Sequence, residues 1–136
     1  MKQVLKPMLY LAVVLGMSVS CKTDDRTTIV FGTVKDDLGK PIVGMPVELY
    51  GEKGILGSRS ALLKATKTDT KGEYNITTEI PKDYHSGDVF FQPDEKLSEQ
   101  YSFFEIQVYF NEQKTSGCCI VKIGQKNQYD LIFTRK

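Results

Sequence analysis

Three kinds of side chain in this sequence could support chemistry: a histidine, a pair of adjacent cysteines, and aspartates that recur beside glycines. His85 is the only histidine. An imidazole-built zinc or iron centre needs several, and a Ser-His-Asp triad needs a base oriented by defined partners. His85 sits between Asp83, Tyr84 and Asp88 in a stretch with no clear periodicity, so a surface residue is expected. Cys118 and Cys119 adjoin each other. In a strand they point to opposite faces, Cys119 with Val121 and Ile123, Cys118 with Ile120. Consecutive Cα atoms are about 3.8 Å apart, below the usual disulfide range of roughly 4.4–6.8 Å. A vicinal disulfide would therefore be strained, and packed free thiols are expected, with the strained disulfide as the alternative.

Asp36, Asp37 and Asp69 could meet at one end of a fold and offer calcium the oxygens it prefers. Their spacing is not that of an EF-hand, and turn formation is the ordinary use of Asp beside Gly. No metal and no cofactor is expected. The candidate ligand surface is aromatic: Tyr84, Phe90, Phe91 and Tyr101, with Phe103 beside them, lie in and around one irregular stretch. Such rings could receive a sugar or a peptide. The competing reading is that they complete the core.

The elements that must position these residues read as strands. Thr28 to Val34 is rich in β-branched and aromatic residues, which suit a pleated surface. Lys35 to Pro41 carries turn chemistry. Pro46 to Tyr50 alternates, so Val47 and Leu49 should face inward. Residues 51–60 hold three glycines and no period, which predicts a loop. A strand over 61–68 competes with a helical turn. Asp69-Thr70-Lys71-Gly72 is a second Asp/Gly turn, and Glu73 to Thr78 alternates with Tyr74 and Ile76 on one face.

Between residues 81 and 102 only Val89 to Phe91 looks strand-like, and Asp94 to Gln100 could form a helical turn. Phe104, Ile106, Val108 and Phe110 share one face by alternation. Cys118–Ile123 and Tyr129–Phe133 complete the set, joined as a hairpin by residues 124–127. About seven strands, with turns every 8–15 residues and no long amphipathic helix, predict an all-β, antiparallel β-sandwich over residues 28–136.

The N-terminus has a different character. Lys2 and Lys6 precede an uncharged run of ten residues, Met8 to Met17. That length suits the apolar core of a signal peptide and falls short of the roughly 20 residues of a membrane span. Ser18-Val19-Ser20-Cys21 resembles the lipobox of bacterial lipoproteins. The resemblance implies a signal peptide over 1–20, cleavage before Cys21, and diacylglycerol on its sulfur with an acyl chain on its new amine. A simple secretory signal cut near Ser20 is the alternative. Several acyl chains anchor firmly where one holds marginally, at about 0.8 kcal/mol per buried methylene.

Residues 21–27 would form a tether. Asp24-Asp25 resemble the surface-export signal of Bacteroidetes lipoproteins, and a solvated linker is the plain alternative. Cleavage removes Lys2 and Lys6, leaving 16 basic against 17 acidic residues and a net charge of −1. Nucleic acid, which asks for clustered positive charge, is not an expected partner.

Gly32-Thr33-Val34-Lys35-Asp36-Asp37-Leu38-Gly39-Lys40-Pro41 through Leu49 resembles the start of the carboxypeptidase regulatory-like domain. Thr68-Asp69-Thr70-Lys71-Gly72-Glu73-Tyr74-Asn75-Ile76 matches that family's second signature. The resemblance covers residues 30–78 and implies a seven-stranded, prealbumin-like (transthyretin-like) sandwich. Gly39 and Gly72 suit positive φ, Pro41 an extended exit from its turn, and Gly32 a close backbone approach.

These residues specify fold and carry no chemistry. Two enzyme families of that fold need what this chain lacks. Intradiol dioxygenases hold iron with two His and two Tyr; hydroxyisourate hydrolases use several His and a C-terminal Tyr-Arg-Gly-Ser. The expected function is therefore non-catalytic: a lipid-anchored lipoprotein of the cell envelope, at the outer membrane and facing the periplasm or the surface, that binds or assembles with an envelope protein. A carbohydrate-binding accessory with a glycan partner is the alternative.

Overall fold

The computed structural model describes residues 23–57 and 59–136; the expectations for residues 1–20 and Cys21 lie outside them. The first strand, β1 (Thr27–Asp36), is followed by β2 (Pro46–Lys53), a 3-10 turn (Ile55–Gly57), β3 (Arg59–Lys67), β4 (Glu73–Glu79) and β5 (Ser86–Phe91). Then come the short helix α1 (Glu95–Gln100), β6 (Tyr101–Phe110), β7 (Gln113–Thr115), β8 (Ile120–Val121) and β9 (Lys126–Arg135). Two sheets form, ordered β4-β1-β9-β6-β7 and β3-β2-β5-β8. They face each other as a β-sandwich.

The core follows from alternation. Val30 and Val34 of β1, Val47 and Leu49 of β2, Ile76 of β4 and Phe133 of β9 are all fully buried. Each such side chain contributes about 1.5–3 kcal/mol by leaving water. Their outward neighbours make the two outer faces, where a ligand has access.

The two Asp/Gly turns share one design. Asp36 Oδ1 accepts from the amides of Leu38 and Lys40, at 2.9 and 2.8 Å. Asp69 Oδ1 accepts from Lys71 and Glu73, at 2.8 and 2.9 Å. In each the amide three residues on, that of Gly39 or Gly72, donates to the aspartate carbonyl. Gly72 has φ +71°, and a Cβ there would come within 2.5 Å of the Val34 carbonyl. Asp36 and Asp69 thus use their oxygens to close turns, and Asp37 pairs with Arg135 at 3.0 Å.

Several expectations need correction. Nine strands stand among the described residues where about seven are predicted, because β7 and the two-residue β8 are too short to leave a periodic signal. The sandwich is not wholly antiparallel: β1 and β9, the first and last strands, pair in parallel. Residues 118–133 are not a hairpin. β8 pairs with β5 in one sheet and β9 with β1 and β6 in the other, so residues 122–125 cross between sheets. The loop predicted over 51–60 is largely the end of the β2–β3 hairpin. Of the residues expected to form a tether, Thr27 opens β1 and Arg26 Nε donates to the Ile80 carbonyl at 2.9 Å.

Phe104 does not share a face with Ile106 and Val108. The β6–β9 register shifts between Ser102 and Ile106. The shift turns Phe103 toward Phe133, at 5.8 Å, and leaves Phe104 fully exposed. Cys118 and Cys119 are joined by a disulfide rather than left as free thiols. Strand pairing begins only at Ile120, so the extended-strand geometry that would hold the two sulfurs apart does not apply to them. Burial still alternates, with Cys119 and Val121 inside and Cys118 and Ile120 outside.

Candidate functional site

The predicted aromatic surface is not one surface. Tyr101 is buried at the start of β6; burial first, then the Asp36 carboxylate, raises its phenol above the ordinary value. Phe91 packs edge-on against Tyr74 at 5.4 Å, as part of the core. Tyr84 is half-buried beneath the Lys53 ammonium, 4.9 Å from its ring centre. Only Phe90 turns outward, 48% exposed. The four therefore scatter, because strand alternation sends Phe90 and Phe91 to opposite faces and Tyr101 belongs to the other sheet. His85 is exposed, its Nε2 3.0 Å from the Gly54 carbonyl at the β2–β3 hairpin.

Phe90 belongs instead to a different constellation, on the outer face of the β3-β2-β5-β8 sheet. Cross-strand pairing sets Leu62 beside Tyr50, Tyr50 beside Asp88, and Asp88 beside Ile120. One row thus crosses all four strands. Phe90 lies two residues along β5, its ring 5.5 Å from that of Tyr50 and nearly perpendicular to it. Leu62 is 51% and Ile120 68% exposed. Large apolar side chains that stand open to water on every strand of a sheet are a feature of interaction surfaces.

Carboxyl groups stand among these side chains. Glu48 Oε2 accepts from the Tyr50 hydroxyl at 3.0 Å, and Glu52 Oε2 accepts from Ser86 Oγ at 3.1 Å. Asp88 lies against Glu52; its own burial, then the hydrogen bond and charge of Glu52, raise its carboxyl above the ordinary carboxylate range. The Glu48 hydrogen bond likewise raises the Tyr50 phenol. The two ion pairs among the described residues, Lys53–Asp83 and Asp37–Arg135, involve none of these three acids. The face thus sets apolar side chains and carboxyl groups side by side, with Asp88 inside the row and Glu48 and Glu52 beside it.

Sequence reasoning missed Tyr50, Leu62 and Ile120. Alternation in β2, which puts Val47 and Leu49 inside, already puts Glu48 and Tyr50 outside. What it lacks is the pairing that sets them beside Leu62 and Phe90. Elsewhere, a crevice of about 320 Å³ opens between the sheets beside Cys118 and Cys119, lined by Phe91, Ile106, Val108 and Leu131. No group of three or more His, Cys, Asp or Glu among the described residues has the geometry to hold a metal ion.

No family model and no curated protein matches the chain. Among solved structures it is similar to a 9R-lipoxygenase from Cyanothece PCC8801, at 13% identity and a TM-score of 0.42. The match covers 95% of this chain and 20% of the lipoxygenase, so the chain spans about a fifth of that protein's length.

Proposed function

We propose that this chain is a non-catalytic binding module of the cell envelope, lipid-anchored at Cys21 to the outer membrane, that takes a protein partner on the outer face of its four-stranded sheet. The observation that carries the reading is the open outer face on which Leu62, Tyr50, Phe90 and Ile120 stand one to each strand, with Asp88 between Tyr50 and Ile120 and with Glu48 and Glu52 beside them. Aromatic anchors ringed by polar groups are the usual centre of a protein interface. The partner surface that complements this one is apolar with a basic rim.

The fold within this reading is prealbumin-like, as the resemblance over residues 30–78 implies. Setting aside the β6–β7 hairpin leaves seven strands, ordered β4-β1-β9 and β3-β2-β5-β8. That is the strand count the resemblance carries, with β6–β7 as an addition at the edge of one sheet.

A photo-crosslinking side chain placed at position 90 of the intact lipoprotein, in membranes of the cells that make it, tests the proposal. The expected result is a discrete adduct with one envelope protein, reproduced from position 62 or 120 and absent from position 38 on the β1–β2 turn. A folded, membrane-bound protein that yields no adduct from 62, 90 or 120 overturns it.

A further inference from the structure

The outer face of the other sheet has a different chemistry. A groove of about 540 Å³ crosses β4, β1 and β9. Pairing places its side chains in two rows. Asn75, Phe31 and Gln128 are cross-strand neighbours, and so are Glu73 and Thr33, with Asp130 beside them. Tyr109, the cross-strand partner of Asp130 on β6, extends the face. One half-buried ring, Phe31, thus stands between two amides in the first row, and a second, Tyr109, ends the other row beyond a hydroxyl and carboxyl groups.

The groove is built into the backbone. Gly32 lies against the Tyr129 carbonyl so closely that a Cβ would overlap it, and that carbonyl accepts from the Tyr74 hydroxyl at 2.7 Å. Regular β1–β9 pairing is interrupted at Gly32 and Thr33. The Asp130 side chain fills the gap: its Oδ1 accepts from the Thr33 amide at 2.8 Å and the Thr33 hydroxyl at 3.0 Å. Its Oδ2 accepts from Gln128 Nε2 at 2.7 Å. This network fixes the rotamers of Thr33, Gln128 and Asp130, so a ligand would meet a patch already ordered. The Asn75 amide nitrogen and the Gln128 side-chain oxygen make no hydrogen bond among the described residues, and both remain to be used.

We propose that this groove binds an uncharged saccharide. A pyranose ring presents apolar C–H faces, which rest on an aromatic ring, and a rim of hydroxyls, which both donate and accept. Phe31 and Tyr109 supply the rings; Asn75, Gln128 and the free valences of Glu73 supply acceptors and donors in the quantity a polyol requires. Asp69, Glu73 and Asp130 stand against the single amine of Lys67, so an anionic glycan is repelled. A protein partner is a poor match, because the face lacks the exposed aliphatic side chains of the opposite sheet.

The intact lipoprotein in detergent micelles, applied to an array of neutral and acidic oligosaccharides, tests this. Retention of at least one neutral oligosaccharide is expected, with acidic ones bound more weakly. Phe31→Ala and Asn75→Ala should each weaken retention, Phe31→Ala by at least about tenfold, while Phe90→Ala on the opposite face leaves it unchanged. Asn75 is exposed and its replacement does not endanger the fold. No retained neutral oligosaccharide, or retention undiminished in both groove variants, overturns the proposal. A loss caused by Phe90→Ala would also overturn it, by locating the site on the other sheet.

Discussion

Asn127 is a polar side chain with no exposure to water. Its Nδ2 donates to the carbonyls of Lys122 and Gln125, at 3.0 and 3.1 Å, and its Oδ1 accepts from the Lys122 amide at 2.8 Å. One side chain therefore satisfies the backbone of the segment that leaves β8 and enters β9. Thr28, also fully buried, holds the same segment from β1, its Oγ1 accepting from the Gly124 amide at 2.9 Å. Removing the Asn127 amide leaves buried backbone groups without partners, and each costs about 1–3 kcal/mol. Asn127→Ala should lower unfolding free energy by about 2–4 kcal/mol, read as a lower urea midpoint at unchanged slope. The exposed Asn75→Ala should stay within about 0.5 kcal/mol of the parent. Equal midpoints for the two variants would show that the crossover does not depend on Asn127.

The pairing of β2 with β5 sets Asp88 against Glu52, and the proximity has a pH consequence. Burial and Glu52 raise the folded-state pKa of Asp88. Below its unfolded-state pKa both states hold the proton, and the group's contribution is complete. As pH rises from there toward the folded pKa, the unfolded chain releases its proton first and stability falls. Asp37 and Asp83 act in the opposite sense, since the hydrogen bonds from Arg135 and Lys53 hold their carboxyls low. They are common to parent and variant, so a difference measurement isolates Asp88. Asp88→Asn should gain melting temperature relative to the parent as pH rises from about 4 to 7. Parallel melting curves across that range would remove the coupling. The strand pattern of this sheet is legible in the sequence, because Val47 and Leu49 alternate with Glu48 and Tyr50. So are the Asp36 and Asp69 turns, and the α1 turn, where the Asp94 side chain caps the Leu97 amide. The constellation around Phe90 is not legible, because it arises from register between strands far apart in the chain. The bulge in β6 and the crossing at 122–125 hide for the same reason: one depends on register against β9 and the other on a change of sheet, and local periodicity describes only one strand.

At the scale of the whole molecule, the two outer faces differ in kind: one carries exposed aliphatic and aromatic side chains among carboxyl groups, the other a mainly polar groove around Phe31. The first described residues are held by contacts with the β4–β5 connection and the β8–β9 crossing. Arg26 is fastened by its side chain to the Ile80 and Pro81 carbonyls, and Asp25 lies against Gly124 at the β8–β9 crossing. No helix among the described residues is long and apolar enough to cross a membrane. The proposed membrane attachment is the lipid on Cys21. Cys21→Ala should abolish incorporation of labelled fatty acid and move the protein from the membrane fraction to the soluble envelope fraction. The signal peptide must be shown to be cleaved in that experiment, since an uncleaved apolar segment would itself hold the chain on the membrane. A cleaved Cys21→Ala protein that remains wholly in the membrane fraction would refute the lipid anchor, and would point to the face that exposes Leu62 and Ile120 as a membrane or partner contact strong enough to hold the domain there.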